Sequence, residues 1–158
     1  MFRKMRRKKQ ELTEKQCLDI LRRAKTATLA LSGDDGYPYS VPMNFVYEDG
    51  KIYFHGAKEG HKIDAIKNNP KVSMSIIDQE DVIEEELTTY FRSIILFGKA
   101  KILQDDDEIY QAVNALGLKY CDDEIAVEKE IQREWKVLCC VEIIIEHLTG
   151  KQAIELVK

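Results

Sequence analysis

The run His55-Gly56-Ala57-Lys58-Glu59-Gly60-His61-Lys62 gathers more chemistry than any other stretch of this 158-residue chain. Two glycines let a backbone approach a ligand closely, and Lys58 and Lys62 supply full positive charge. The flanking patterns make the run a link from a strand into a helix, whose first N–H groups lack intrahelical partners and carry partial positive charge. Together these features suit a phosphate. The same composition also suits an ordinary strand-to-helix loop with solvated lysines. His55, at the strand end, is placed to face a ligand, and an unperturbed pKa of roughly 6.5 would let it pass a proton near neutral pH. His61, at the helix start, suits a structural or phosphate-facing position.

Two other segments offer recognition groups. In Val41-Pro42-Met43-Asn44 the proline interrupts a ladder and frees backbone groups, while Asn44 carries both donor and acceptor. Such a strand reads either as a surface for the edge of a flat heterocycle or as a bulged edge strand. In Tyr90-Phe91-Arg92-Ser93 the planar fork of Arg92 matches a phosphate, or an ion pair with the acidic residues just before it. There is no glycine-rich dinucleotide fingerprint, no Walker A loop and no nucleophile elbow. His55, His61 and His147 lack the spacing of a zinc hydrolase. Cys17, Cys121, Cys139 and Cys140 form no CxxC pair, so they read as small apolar filler in a reducing compartment, and no metal site is expected.

The elements that must position these groups follow from periodicity. Thr13 and Gln16 have capping-box spacing, and Cys17, Ile20, Leu21 and Ala24 share one helical face. Ala27, Leu29 and Leu31 alternate as a strand. A second strand spans residues 39–47, with Pro38 and Pro42 placing its start at a sheet edge or a bulge. Asp49-Gly50 turns a hairpin into a returning strand over 51–55. A short helix at 61–68 stops at Asn69-Pro70. A fourth strand covers 72–76, and the acidic residues 78–86 read as a solvated excursion. A long strand spans 90–103 with Gly98 at a bulge or bend. Asp105 to Glu108 open a helix favourably for its dipole, and Gly117 is expected to end it. A polar helix covers 122–134, a last strand 137–145, and Thr149-Gly150-Lys151 a turn. Hairpin-linked strands exclude a doubly wound parallel sheet. The fold class is mainly β with flanking helices, a small barrel.

Composition places one domain here, 44% hydrophobic and 33% charged, with residues 1–12 as a basic arm and 13–158 as the folded unit. Six of the 24 basic residues fall within residues 1–9, which hold no acid, so the remainder sets 18 cations against 28 acids. An acidic body disfavours nucleic acid and anionic membranes as partners, and the arm is expected to lie on it. No apolar run approaches ~18 residues, and no signal-type segment follows the arm, so a cytoplasmic location is expected.

With these residues in view, the chain resembles the nitroimidazole-resistance proteins, within the flavin-binding split-barrel group related to pyridoxamine 5′-phosphate oxidase. The resemblance rests on the Pro-containing strand, the Asp-Gly hairpin, the run from Tyr53 to Lys62 and Asn69-Pro70-Lys71-Val72. It is extended by Met5-Arg6-Arg7-Lys8, Gly36-Tyr37-Pro38, Arg92-Ser93 with Phe97-Gly98, and His147-Leu148-Thr149-Gly150-Lys151. It implies an FMN-binding split β-barrel homodimer with FMN at the subunit interface. By that resemblance Lys58, Gly60, His61 and Lys62 lie near the FMN phosphate, with Gly56 at the same loop. Val41, Pro42, Met43 and Asn44 run beside the flavin ring, His55 is the catalytic histidine, and Arg92, Ser93 and Ile94 approach from the partner. The chain stops soon after its last strand, without the Trp- and Arg-containing tail of the oxidase proper, which argues against oxidation of pyridoxamine phosphate.

The leading expectation is an FMN-dependent oxidoreductase acting on a small electron-poor, nitro-aromatic-like substrate. The alternative is a non-catalytic flavin- or haem-binding protein on the same barrel, with His55, His61 or His147 as axial ligand. A third reading, an interaction module using the basic arm, is disfavoured by the acidic body.

Overall fold

A computed structural model describes residues 1–158. Seven antiparallel strands form one sheet in the order β2-β1-β5-β6-β7-β4-β3. They are β1 (Ala27–Ser32), β2 (Pro38–Met43), β3 (Val46–Glu48), β4 (Lys51–Ala57), β5 (Lys71–Ile83), β6 (Thr88–Ile102) and β7 (Leu138–Gln152). Four helices accompany them: α1 (Glu14–Arg23), α2 (His61–Asn68), α3 (Asp106–Tyr120) and α4 (Glu124–Glu134).

The two ends of the strand order, β2 and β3, are separated in sequence only by Asn44 and Phe45. Three Cα steps reach no further than about 11 Å, so the sheet must roll until its edges nearly meet. The second strand read from the sequence is thus one bent strand whose first arm pairs with β1 and whose second pairs with β4. No ladder joins β2 to β3 or β4, so the barrel closes through the chain and stays split in its hydrogen bonding.

Alternation along the strands fills the interior. Leu29, Ile52, Phe54, Met74, Ile76, Ile94, Leu96, Val141 and Ile143 are buried there. The apolar face of α1, Cys17 with Ile20 and Leu21, covers one end. Its capping box is formed: Gln16 N donates to Thr13 Oγ1 at 3.2 Å and Thr13 N to Gln16 Oε1 at 2.8 Å. Outside the barrel α3 and α4 pack through Leu103, Ala112, Val113, Val127, Ile131 and Cys140. Cys139 joins the inner cluster and Cys140 the helical one, as neighbours on a strand must.

Several sequence expectations are corrected. Residues 78–83 are not an excursion: β5 continues to Ile83 and pairs with β6 from Thr88, the turn being made by Leu87 at φ 52°. This end of the hairpin is wet on its surfaces, Val82 being 75% exposed, so no apolar alternation announces it, while backbone pairing is indifferent to side-chain polarity. Gly117 lies inside α3, where a Cβ would come 2.6 Å from Val127 Cγ1; it lets the two helices touch. β7 runs straight through the expected turn at 149–151. The register shift expected at Gly98 is present, between Phe97 and Gly98.

The basic arm does not lie on acidic surface. None of its six cations comes within 4.0 Å of a carboxylate, although nine ion pairs form elsewhere. Aromatic stacking and backbone bonding hold it across β6 and β7 instead. Phe2 stacks on His147 at 4.8 Å, Gln10 Nε2 donates to Gln152 O at 2.9 Å, and Leu12 N donates to Gly150 O at 2.8 Å. Gln10 and Leu12 are buried, so the arm ends as part of the fold. No helix is long and apolar enough to cross a membrane.

Candidate functional site

β4 pairs with β7 along its whole length, Lys51–Ala57, but with β3 only as far as Tyr53. From Phe54 to Ala57 one edge of β4 is unpaired, and β2 has no neighbour beyond β1. The bend at Asn44-Phe45 carries these two edges apart, so the split presents free backbone N–H and C=O groups on either side. Pro38 and Pro42 sit on this edge strand, where a missing donor costs no ladder bond.

The bend is clamped from outside by the end of α3. Phe45 N donates to Tyr120 Oη at 3.2 Å, and that hydroxyl lies 2.5 Å from Lys25 O and 3.0 Å from Phe45 O, to one of which it donates. Lys119 Nζ donates to Phe45 O at 2.8 Å and sits 3.9 Å from the Phe45 ring centroid. Burial pulls the Lys119 amine down to about 8. Asn44 Nδ2 donates to Lys25 O at 2.9 Å, which leaves its side-chain oxygen free.

Asn44, His55, Gly56 and Ala57 form one wall of a cavity of about 730 Å³, and α3 and α4 form the other. The helical wall is mostly apolar, with Glu130 and Glu134 from α4 at its polar side. Such a volume lies within the usual ~300–1,000 Å³ of small-molecule sites. His55 opens into this cavity. Partial desolvation by the surrounding protein lowers its pKa below the usual histidine value, Lys62 lowers it further, and Glu134 opposes both. The imidazole therefore favours its neutral form at neutral pH, with one N–H to donate and one nitrogen to accept.

The loop after β4 enters α2 at Gly60, whose φ of 142° is open essentially to glycine alone. No side chain caps the start of α2, and nothing lies within 4 Å of where a Gly60 Cβ would be. The helix start is accordingly open to an anion. Lys62 folds back along β4, its Nζ 3.9 Å from the Cβ position of Gly56 and 5.6 Å from the Phe54 ring.

The structure thus brings Asn44, His55 and Gly56 to one cavity, with Lys62 reaching back beside Gly56 and Gly60 two residues before it at the start of α2. Other expected residues point elsewhere. His61 stacks on Tyr39 at 3.9 Å, with Nε2 3.9 Å from Asp34 Oδ2. Lys58 lines a neighbouring cavity of about 500 Å³ with Lys67 and Lys136. Val41 and Met43 turn toward the core, while Pro42 is exposed. Ile94 is fully buried in the core. Arg92 takes the ion-pair alternative: its Nη1 lies 3.7 Å from Asp78 Oδ2, the carboxylate also held by Arg23, and its Nη2 donates to Gln152 Oε1 at 3.2 Å. Ser93 lies on the outer sheet face beside the arm. Sequence reasoning missed Lys119, Tyr120, Glu130 and Glu134. They come from helices far along the chain, and no spacing relates them to β4.

The residues present fit a flavin mononucleotide in kind: an apolar cleft beside the unpaired edge of β4 for a flat ring, and a glycine-dependent helix start with Lys62 for a phosphate. A sequence profile described as pyridoxamine 5′-phosphate oxidase matches residues 13–152. The chain belongs to that family. Its fold is shared with a candidate 5-nitroimidazole antibiotic resistance protein from Bacteroides thetaiotaomicron VPI-5482, 23% identical with a TM-score of 0.74 over 90% of this chain and 86% of that one. A conserved hypothetical protein of Mycobacterium tuberculosis is 18% identical with a TM-score of 0.78 over 97% and 92% of the two chains. The FAD and haem binding protein of Mycobacterium smegmatis is 20% identical with a TM-score of 0.76 over 92% and 74%. At these identities the likeness establishes the fold, the split barrel of the family. An uncharacterised protein of Rhizobium meliloti (strain 1021) is 31% identical over 67 residues, 42% of this chain and 43% of that protein's length.

Proposed function

We propose that this chain is an FMN-dependent oxidoreductase that reduces a small electron-poor substrate of the nitro-aromatic kind. The observation that carries this reading is the cavity at His55: Asn44 and the unpaired end of β4 form one wall and the mostly apolar faces of α3 and α4 the other, with the charge of Lys62 near enough to bear on the imidazole. The flavin, when bound, supplies the electron chemistry, and the protein supplies binding, orientation and electrostatics. Backbone N–H groups at the start of α2, with Lys62, hold the phosphate. The free edges of β2 and β4 and the Asn44 oxygen orient the ring. The apolar faces of α3 and α4 keep water from the cavity. His55 donates its N–H to substrate and passes a proton when protonated, more readily as pH falls.

A homodimer with FMN at the subunit interface belongs to the same proposal. It is supported by exposed apolar residues on the outer sheet face: Ile77 at 66%, Ile95 at 45% and Phe97 at 39%. With Ile94 in the core and Arg92 bound to Asp78, only Ser93 of the expected triplet is free to approach a partner's flavin with its side chain. The four unpaired cysteines support a reducing, cytoplasmic setting.

The test is the absorbance spectrum of purified protein before and after adding FMN or FAD in separate samples. Uptake of FMN with a band near ~450 nm, followed by NADH- or NADPH-driven reduction of a nitro compound, is the expected result. Failure to take up FMN overturns the proposal, and preferential uptake of FAD overturns its choice of flavin. A neutral imidazole in an apolar cavity also favours a second reading, haem held through His55. A Soret band on haem titration that disappears in His55→Ala supports it, and steady nitro reduction with no haem uptake excludes it.

A further inference from the structure

The basic arm builds a cationic hollow away from the cavity at His55, on the sheet face through which the proposed dimer would meet. Arg3, Lys4, Arg6, Ser93, Thr149 and Lys151 line a cavity of about 230 Å³ on the outer face of β6 and β7, with no acid among its lining residues. The arm is fastened on both sides of this hollow. Phe2 is stacked on His147 and lies 5.2 Å from the Phe97 ring. Beyond the hollow, Gln10 and Leu12 bond to the backbone of Gln152 and Gly150. Residues 3–6 are therefore suspended over the strands at a fixed place, and their cations have no carboxylate partner within the chain.

In a chain whose remainder is strongly acidic, holding uncompensated cations together costs Coulomb energy. An external anion relieves it. The hollow is smaller than the ~300 Å³ at which sites for whole drug-sized ligands begin. It matches an anionic group rather than a complete nucleotide. A nucleic acid would bring its charge along the acidic body on either side, which repels it. Guanidinium forks and two hydroxyls are the groups that recognise phosphate oxygens.

We propose that this hollow is a binding site for a phosphate or diphosphate group. Within one subunit it is distinct from the loop at α2. Gly56 pairs with Cys139 at the start of β7, whereas Thr149 and Lys151 lie near its far end, roughly 33–40 Å along the strand at ~3.3 Å per residue. The site's occupant is either a free small phosphate or the phosphate of a nucleotide cofactor seated on another subunit. Only the second of these two sources rests on the flavin reading.

Titration calorimetry of the full chain at low ionic strength, with inorganic phosphate and pyrophosphate as probes, tests this. Saturable binding is expected, weakened about tenfold or more in Arg3→Ala/Arg6→Ala, with circular dichroism confirming that the variant is folded. Repeating the titration with saturating FMN separates the sources. Persistence of arm-dependent binding identifies a free phosphate. Its loss, together with weaker FMN binding in Arg3→Ala/Arg6→Ala, identifies the cofactor's own phosphate. Absence of saturable binding, or binding that the double substitution leaves unchanged, overturns the proposal. So does arm-dependent retention of duplex DNA more tightly than pyrophosphate. FMN uptake by the parent chain is measured separately, so failure of this site and failure of the flavin reading are told apart.

Discussion

Replacing Gly60 by alanine tests the cationic loop without removing any charge. Gly60 lies at φ 142°, ψ 172°, and no heavy atom is within 4 Å of the position its Cβ would take. The substitution creates no clash, so its cost is backbone strain alone, about 1–3 kcal/mol. If the loop keeps its shape, that cost appears as lost stability, ~2–12 °C in Tm for a domain of this size. If the loop relaxes, the N–H groups at the start of α2 turn away from the ligand, and FMN affinity falls by roughly 5- to 150-fold. Gly36, at φ 78° with nothing near its Cβ position, is the control: Gly36→Ala strains a turn outside the loop and lowers stability alone. Thermal melts without ligand and fluorescence titrations with FMN read the two effects apart. The reasoning is refuted if Gly60→Ala melts and binds FMN like the parent, or if Gly36→Ala weakens FMN binding as much.

Three further outcomes follow from the same geometry. Because the folded-state pKa of His55 is lowered, the unfolded chain takes up protons first, so stability is lost as pH falls from about 6.5 through the folded value; urea melts across this range should show that loss reduced in His55→Asn, and nitro reduction should rise on acidification only in the parent. Gly150→Ala would place a Cβ 2.8 Å from Ile94 Cγ2 and Leu12 Cδ1 and 2.9 Å from Cys17 Sγ, so urea denaturation should show about 1–3 kcal/mol of destabilisation from overpacking. Tyr120→Phe removes the hydroxyl that clamps the bend; a loss of about 1–3 kcal/mol and faster amide hydrogen exchange at Phe45 are expected, and unchanged exchange would show that Lys119 holds the bend by itself.

The sequence was most informative where one local rule governs. The capping box at Thr13, the Asp49-Gly50 hairpin and the prolines of β2 each specify geometry within a few residues, and each is found as expected. It was least informative where a position depends on a distant neighbour. Gly117 resembles a helix terminator until Val127 is seen against it, and Gly150 resembles a turn until Leu12, Cys17 and Ile94 are seen around it. The loop at His55 was legible because its glycines and lysines are contiguous. The direction of each side chain was not: His61 leaves for Tyr39 and Lys58 for a second cavity, choices made by tertiary contacts. Arg92 found its partner in the acidic segment before it, but only because that segment pairs as a strand.

The ladder between β4 and β7 has a consequence for how the protein comes to hold anything at all. β5 and β6 are neighbours along the chain and zip together through a short turn, whereas β4 must wait for a strand that lies beyond three further helices and two strands. Loop-closure entropy places such a distant seam late in folding. The cavity has one wall on β4 and the other on the helices between, so it does not exist until that seam is made. A ligand seated there stabilises only the finished barrel. It retards unfolding and leaves the rate of folding unchanged, acting as a bolt on the last door to shut.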